Sequence, residues 1–185
     1  MSYRPITDVW ILARSKVKYF GAYPAGFLQR ARDLLNVTKH DQVLHVCSGK
    51  VQDYPYEGFG WLDVTMDLDP ALKRGGGLHH CLDAGDANSY RTIIKEHPQI
   101  QAVLADPPYT EAFADKYAPG AGYLPSPGFI VNHGLRMVPI GGRVGILSLE
   151  WPRYPKAISR QIAIIGVVVG NGNLGRWFAV YERTG

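Results

Sequence analysis

The sequence has only two cysteines in 185 residues, Cys47 and Cys81, so a disulfide framework is excluded and a reducing, cytoplasmic setting is expected. Long apolar runs are also missing. The longest, over residues 162–170, is about nine residues, against the roughly 20 that a membrane span needs. Residues 1–20 are mixed and basic with no apolar stretch of the kind that opens a secretory signal, and none is expected. There is no Cys-x-x-Cys pair. His79, His80 and Cys81 are adjacent, and on a strand alternate side chains face opposite ways, so the three do not converge and no metal site is expected. No internal repeat is visible.

What is present describes a globular chain. Apolar residues make up 46% and charged residues 19%, enough for a core without staples, and the length fits one domain. Charge is unevenly spread. Residues 1–50 carry eight Lys/Arg against three acids, a net of +5. Residues 51–115 carry four against eleven, a net of −7, and residues 116–185 carry eight against two, a net of +6. Basic ends suit a polyanionic partner; the acidic middle is where the chemistry is expected.

Apolar residues at 27, 28, 31, 34 and 35 have a helical period. Short β-rich runs follow at 42–47, 64–68, 78–82, 101–105 and 144–149, with helices expected over 91–96 and 129–137. Residues 117–128, rich in Gly, Pro and Tyr, read as a long loop. Two further β-rich runs, 162–169 and 175–181, flank a Gly/Asn turn and form an antiparallel hairpin. One domain over 1–185 is therefore expected. It divides into an N-terminal basic arm and helix (1–40), the central motifs (41–115) and a loop, fifth strand and closing hairpin (116–185).

Alternating strands and helices imply a mostly parallel, doubly wound sheet, and ligands of such sheets bind beyond the strands' carboxyl ends. The strand tails here are Cys47-Ser48-Gly49, Asp67 with Asp69, Asp83 with Asp86, and Asp106-Pro107-Pro108-Tyr109. Small and acidic tails meeting in one crevice suit a nucleoside-like ligand.

Asp106-Pro107-Pro108-Tyr109, directly after a hydrophobic strand, resembles the catalytic motif of the S-adenosylmethionine-dependent amino-methyltransferases that act on nucleic acid bases. The resemblance extends over most of the chain. Residues 43–51 are similar to the family's Gly-rich cofactor loop, 65–69 to its acidic second-strand end, and Tyr23-Pro24 with the helix after them to a motif near the methionine end of the cofactor. The hairpin is similar to the reversed seventh strand of the class I methyltransferase Rossmann-like fold. This implies S-adenosyl-L-methionine as cofactor, with Tyr23, Pro24, His45, Cys47, Ser48, Gly49, Asp67, Asp69, Asp83, Asp86 and Asp106 as its neighbours. Asp67 is expected at the ribose hydroxyls, with Asp69 as fallback, and one of Asp83 and Asp86 at the adenine amino group. An Asp at a helix start also serves as a cap. The loop departs from the family where His45 replaces an Asp and Val51 a Gly.

The chemistry explains the motif. An aromatic amino nitrogen delocalises its lone pair into the ring and is a poor nucleophile. The Asp106 carboxylate and the Pro107 carbonyl would each accept one N–H and aim that lone pair, while Pro108 stiffens the turn and Tyr109 stacks on the base. A duplex target has to be flipped out of its stack. Trp151, Arg153, Tyr154 and Lys156 suit base stacking and phosphate contact, as do Arg14, Lys16, Lys18, Tyr19 and Phe20. The loop at 73–77 lacks a Walker pattern. The leading reading is a DNA amino-methyltransferase, adenine ahead of cytosine, with no room for a separate target-recognition region. The alternatives are an RNA base amino-methyltransferase and a degenerate subunit that binds cofactor or nucleic acid without turnover.

Overall fold

The computed structural model describes residues 3–15, 22–53, 58–72, 78–117, 124–170 and 175–185. The expected patch at Lys16, Lys18, Tyr19 and Phe20, the 73–77 loop, half of the 117–128 loop and the hairpin turn at 171–174 lie outside them.

Eight strands form one sheet: β1 (Ile6–Leu12), β2 (Gln42–Val46), β3 (Val64–Asp67), β4 (His79–Cys81), β5 (Ile100–Ala105), β6 (Arg143–Ser148), β7 (Ser159–Val169) and β8 (Arg176–Arg183). Their order is β1-β7-β8-β6-β5-β2-β3-β4. All neighbours are parallel except β8, which runs antiparallel to both β6 and β7. The central strands β2 and β5 are buried on both faces, which is why they read as continuous apolar runs and not as alternating ones.

Helix α1 (Phe27–Leu35) has the predicted bounds. It buries Phe27, Leu28, Ala31 and Leu35 on one face of the sheet, and Asn36 in the left-handed region ends it. Helices α2 (Ala87–Glu96) and α4 (Pro127–Met137) cover the other face, packing Tyr90, Ile93, Ile130, Val131 and Leu135 against the strands. A short helix α3 (Glu111–Tyr117) follows the motif at Asp106. Among the described residues no helix is long and apolar enough to cross a membrane.

Two elements were not expected. The N-terminal arm contains β1, which pairs in parallel with β7 at the sheet's edge. Only Trp10 and Leu12 of β1 are buried, so its sequence shows little of the alternation that marks a strand. The other is α3, which has a single apolar turn. Helix cover is also incomplete. Residues 149–158 between β6 and β7 form no helix, and the β1–β7–β8 end of the sheet leaves Val9, Ile11, Val168 and Trp177 exposed. Register puts these four side chains on one face, because Ile11 lies opposite Val168 and Gly166 lies opposite both Val9 and Trp177.

Candidate active site

The parallel pairing of β2, β3, β4 and β5 brings their carboxyl ends together at one edge of the sheet. Short backbone bonds fix the tails there: Ser48 N–H donates to Met66 O at 3.1 Å, Asp106 N–H to Val46 O at 3.2 Å, and Leu82 N–H to Asp67 O at 3.1 Å. Cys47 sits among them in the left-handed region at φ 54°, uncommon for a side chain of any size. Burial pushes its thiol well above the ordinary range, and the charges of Asp67, Asp106 and Asp83 push it further. The thiol therefore stays protonated, and the strand tails that carry these three carboxylates end side by side at the same sheet edge.

Each carboxylate has its own surroundings. Asp67 Oδ2 accepts from Gly49 N–H at 2.8 Å and Oδ1 from Asp69 N–H at 3.1 Å, so the side chain is fixed while each oxygen keeps a further acceptor site. Gly49 has φ +50°, and a Cβ built on it would meet open space. Asp69 closes its own turn by accepting from Ala71 N–H at 2.8 Å. Asp83 Oδ1 accepts from Gly85 N–H at 2.7 Å. Asp86 is the N-cap of α2, accepting from Asn88 N–H at 2.9 Å. Of the two candidates left open by the sequence, Asp86 is the helix cap, and Asp83 is the one whose charge acts on Cys47.

Asp106 forms a chain with two partners. The Tyr109 hydroxyl donates to Asp106 Oδ1 in a very short bond, and Arg176 Nη1 donates to the Tyr109 oxygen at 3.1 Å. Asp106 Oδ2 has no hydrogen-bond partner among the described residues. Burial raises the Asp106 pKa to about 6, against the opposing pull of the Arg176 charge and the Tyr109 bond. Burial and the Asp106 charge also raise the Tyr109 phenol well above its usual value. The Tyr109 ring, expected to stack on the base, stands at 69° to that of Phe113, with centroids 6.5 Å apart. Arg176, at the start of β8, was not singled out from the sequence. It lies 67 residues from Tyr109, and only the antiparallel return of β8 brings it to the site. Tyr23 and Pro24 are buried nearby; Tyr23 stacks on Phe27 at 5.2 Å and adds to the field on Arg176.

His45, expected beside the cofactor, is fully buried and faces Asp63. Its Nε2 lies 3.0 Å from Asp63 Oδ2, and Asp63 also takes Arg32 Nη1 at 2.8 and 3.0 Å and Gly60 N–H at 2.7 Å. The position holds a structural ion network. Val51, the other departure, is fully buried in the core against α1.

Beyond β6, a cavity of about 470 Å³ opens between the start of α4 and residues 150–155, lined by Ser126, Asn132, Trp151, Arg153 and Tyr154. The exposed Trp151 ring lies 6.0 Å from that of Trp177, the residue after Arg176. Arg153 and Lys156 are exposed, whereas Tyr154 is half-buried and packs on Tyr181 at 4.6 Å.

No family model and no curated protein matches this chain. Solved structures do. TrmN from Thermus thermophilus aligns with a TM-score of 0.51 at 18% identity, over 84% of this chain and 48% of that one. SMU.1697c, a candidate methyltransferase from Streptococcus mutans in complex with SAH, aligns at 0.51 and 12%, over 84% of this chain and 96% of that one. A candidate SAM-dependent methyltransferase from the same species aligns at 0.51 and 13%, over 83% and 48%. The chain spans about half the length of the first and third. Together with the strand order and the reversed β8, these likenesses show that the chain has the class I methyltransferase, Rossmann-like fold.

Proposed function

We propose that this chain transfers a methyl group from S-adenosylmethionine to the exocyclic amino group of a nucleic acid base, with adenine in DNA as the first substrate to test. The observation that carries this reading is the position of Asp106-Pro107-Pro108-Tyr109 at the end of a central strand, with Asp67, Asp83 and Cys47 around it. The description of two similar folds as methyltransferases, one of them with SAH, supports the choice of cofactor.

The residues present fit that cofactor. Asp67 would accept from ribose hydroxyls and Asp83 from the adenine amino group, while Gly49 leaves room for close approach. No carboxylate stands at residue 45 for the methionine ammonium, so that end would rest on the Tyr23 side of the site. Once bound, the cofactor supplies an electrophilic sulfonium methyl. The rest is done by this chain's own groups. Ionised Asp106 offers Oδ2 to one amino N–H, and the Pro107 carbonyl takes the other, so the nitrogen lone pair is drawn out of the ring and directed. A carboxyl with a pKa near 6 also suits removal of the amino proton as the C–N bond forms. Arg176 holds Tyr109 and keeps Asp106 ionised at neutral pH. Trp151, Trp177, Arg153 and Lys156 offer stacking surface and phosphate contacts beside the site.

The deciding experiment is labelled methyl transfer to unmethylated duplex DNA, single-stranded DNA and bulk RNA, followed by nucleoside analysis. N-methylated adenine in DNA is the expected product. Label confined to RNA would replace the DNA reading with the RNA one. No label with any acceptor, alongside measurable cofactor binding, would leave a degenerate binding subunit.

A further inference from the structure

We propose that His80, Glu96 and His97 form a binding site for a divalent transition-metal ion of the zinc type, at the end of the sheet away from the crevice. Adjacent positions in sequence do not reveal it. His80 lies on the edge strand β4, next to His79 and Cys81, and strand alternation turns His80 away from both. That turn faces His80 toward the helix side of the sheet, where α2 ends in Glu96 and His97.

The geometry is that of a ligand set. His80 Nε2 and His97 Nε2 lie 2.8 Å apart, and the ring planes meet at 78°. One ligand atom from each of His80, Glu96 and His97 lies within 4.8 Å of the other two. Tetrahedral zinc, with Zn–N near 2.0–2.1 Å, separates two imidazole nitrogens by about 3.3 Å, so the pair would open by roughly half an ångström to admit the ion. Glu96 Oε2 lies 3.9 Å from His80 Nδ1, the ring nitrogen turned away from His97. The half-exposed side chain has to swing toward the Nε2 pair to complete the set, leaving a fourth position for water. Two imidazoles and one carboxylate suit zinc and its borderline neighbours better than calcium or magnesium.

The backbone carrying these groups is already set. His97 caps α2 by donating its N–H to Ile93 O at 2.7 Å, and its carbonyl accepts from Ile100 N–H at 3.3 Å at the start of β5. Helix α2 begins at the crevice, where Asp86 caps it, and its ten residues carry the chain about 15 Å away. An ion here would clasp a three-residue edge strand to a helix end and take no part in transfer at Asp106. The proposal is therefore independent of the methyl-transfer reading.

The test uses the whole chain, stripped with a chelator and then dialysed against Zn²⁺, with Co²⁺ as a spectroscopic probe. The expected result is one ion per chain, the visible bands of four-coordinate Co²⁺, and a Tm raised by about 5 °C at a hundredfold excess over Kd. His97→Gln should weaken Zn²⁺ binding at least tenfold and Glu96→Gln by less, with circular dichroism and the metal-free Tm showing that both still fold. Absence of stoichiometric binding overturns the proposal. So does binding that survives His97→Gln unchanged, or that depends on Cys81 or His79.

Discussion

Two aspartates, the fully buried Asp63 and the half-buried Asp106, each lie near an arginine, and their carboxyl pKa values shift in opposite directions. Asp63 resists burial: its carboxyl is held below the usual range by the bond and charge of His45, the charge of Arg32 and the N–H of Gly60. Asp106 yields to burial and rises to about 6, because Arg176 and the Tyr109 hydroxyl do not offset it. The difference lies in how much of each carboxylate is used. Both oxygens of Asp63 are bonded, and Arg32 spans them. Only Oδ1 of Asp106 is taken, and the arginine reaches it through a tyrosine. A saturated carboxylate holds a fold together, whereas one with a free acceptor at the mouth of a crevice is placed to meet a substrate.

The sharpest way to break this comparison is to remove Asp63. Asp63→Ala strands the Arg32 charge in the core and should cost roughly 3–5 kcal/mol in urea unfolding; a loss below about 1 kcal/mol would show that the network is not what joins α1 to β2. Next comes Asp106→Asn, which should lower the methyl-transfer rate by about 10²–10³-fold while nucleic acid binding and the fold survive. Normal turnover in that variant would sink the proposed mechanism.

Two pH experiments sharpen the contrast. Transfer by the wild type should rise with pH through about 6 and level off above it, since the ionised form of Asp106 does the accepting. Arg176→Gln removes a charge that favours ionisation, so the inflection should move upward; an unmoved inflection would mean that a different group is titrating. The stability linkage has opposite signs at the two sites. The contribution of Asp63 is present above the ordinary value of 3.8 and is lost as pH falls through its lower folded value. Asp106, raised on folding, contributes stability below 3.8 that is lost as pH climbs through about 6. Asp106→Asn should therefore raise Tm at pH 8 and have little effect near pH 4, as expected where function opposes stability. The smallest change is Tyr109→Phe, which removes one hydroxyl and should slow transfer by about 10–100-fold, since bonds to a charged group contribute roughly 1.5–3 kcal/mol.

The strand ends and the helix 27–35 were legible in the sequence because local signals agreed there: apolar runs, a 3.6-residue period, and Asp, Pro or Gly as stops. The bond of His45 to Asp63 was not legible, for the opposite reason. In a strand buried on both faces the apolar run carries no alternation, so the sequence gives no sign of which way residue 45 points. Asp63 and Arg176 were missed because their partners lie 31 and 67 residues away, and no spacing rule covers contacts created by sheet order. Asp83 and Asp86 were separable only by structure, since Asp-Ala occurs at both and either could cap a helix.

The edge strand β1 has a kinetic consequence. Ile6 pairs with Ala163, so the amino-terminal strand docks on a partner made 157 residues later in synthesis. Until β7 emerges, Ile6, Val9, Trp10, Ile11 and Leu12 have no sheet to join, and closing so long a loop is slow relative to local helix formation. The nascent chain thus carries a bare apolar strand while everything up to β7 is made, a natural binding stretch for a holdase chaperone.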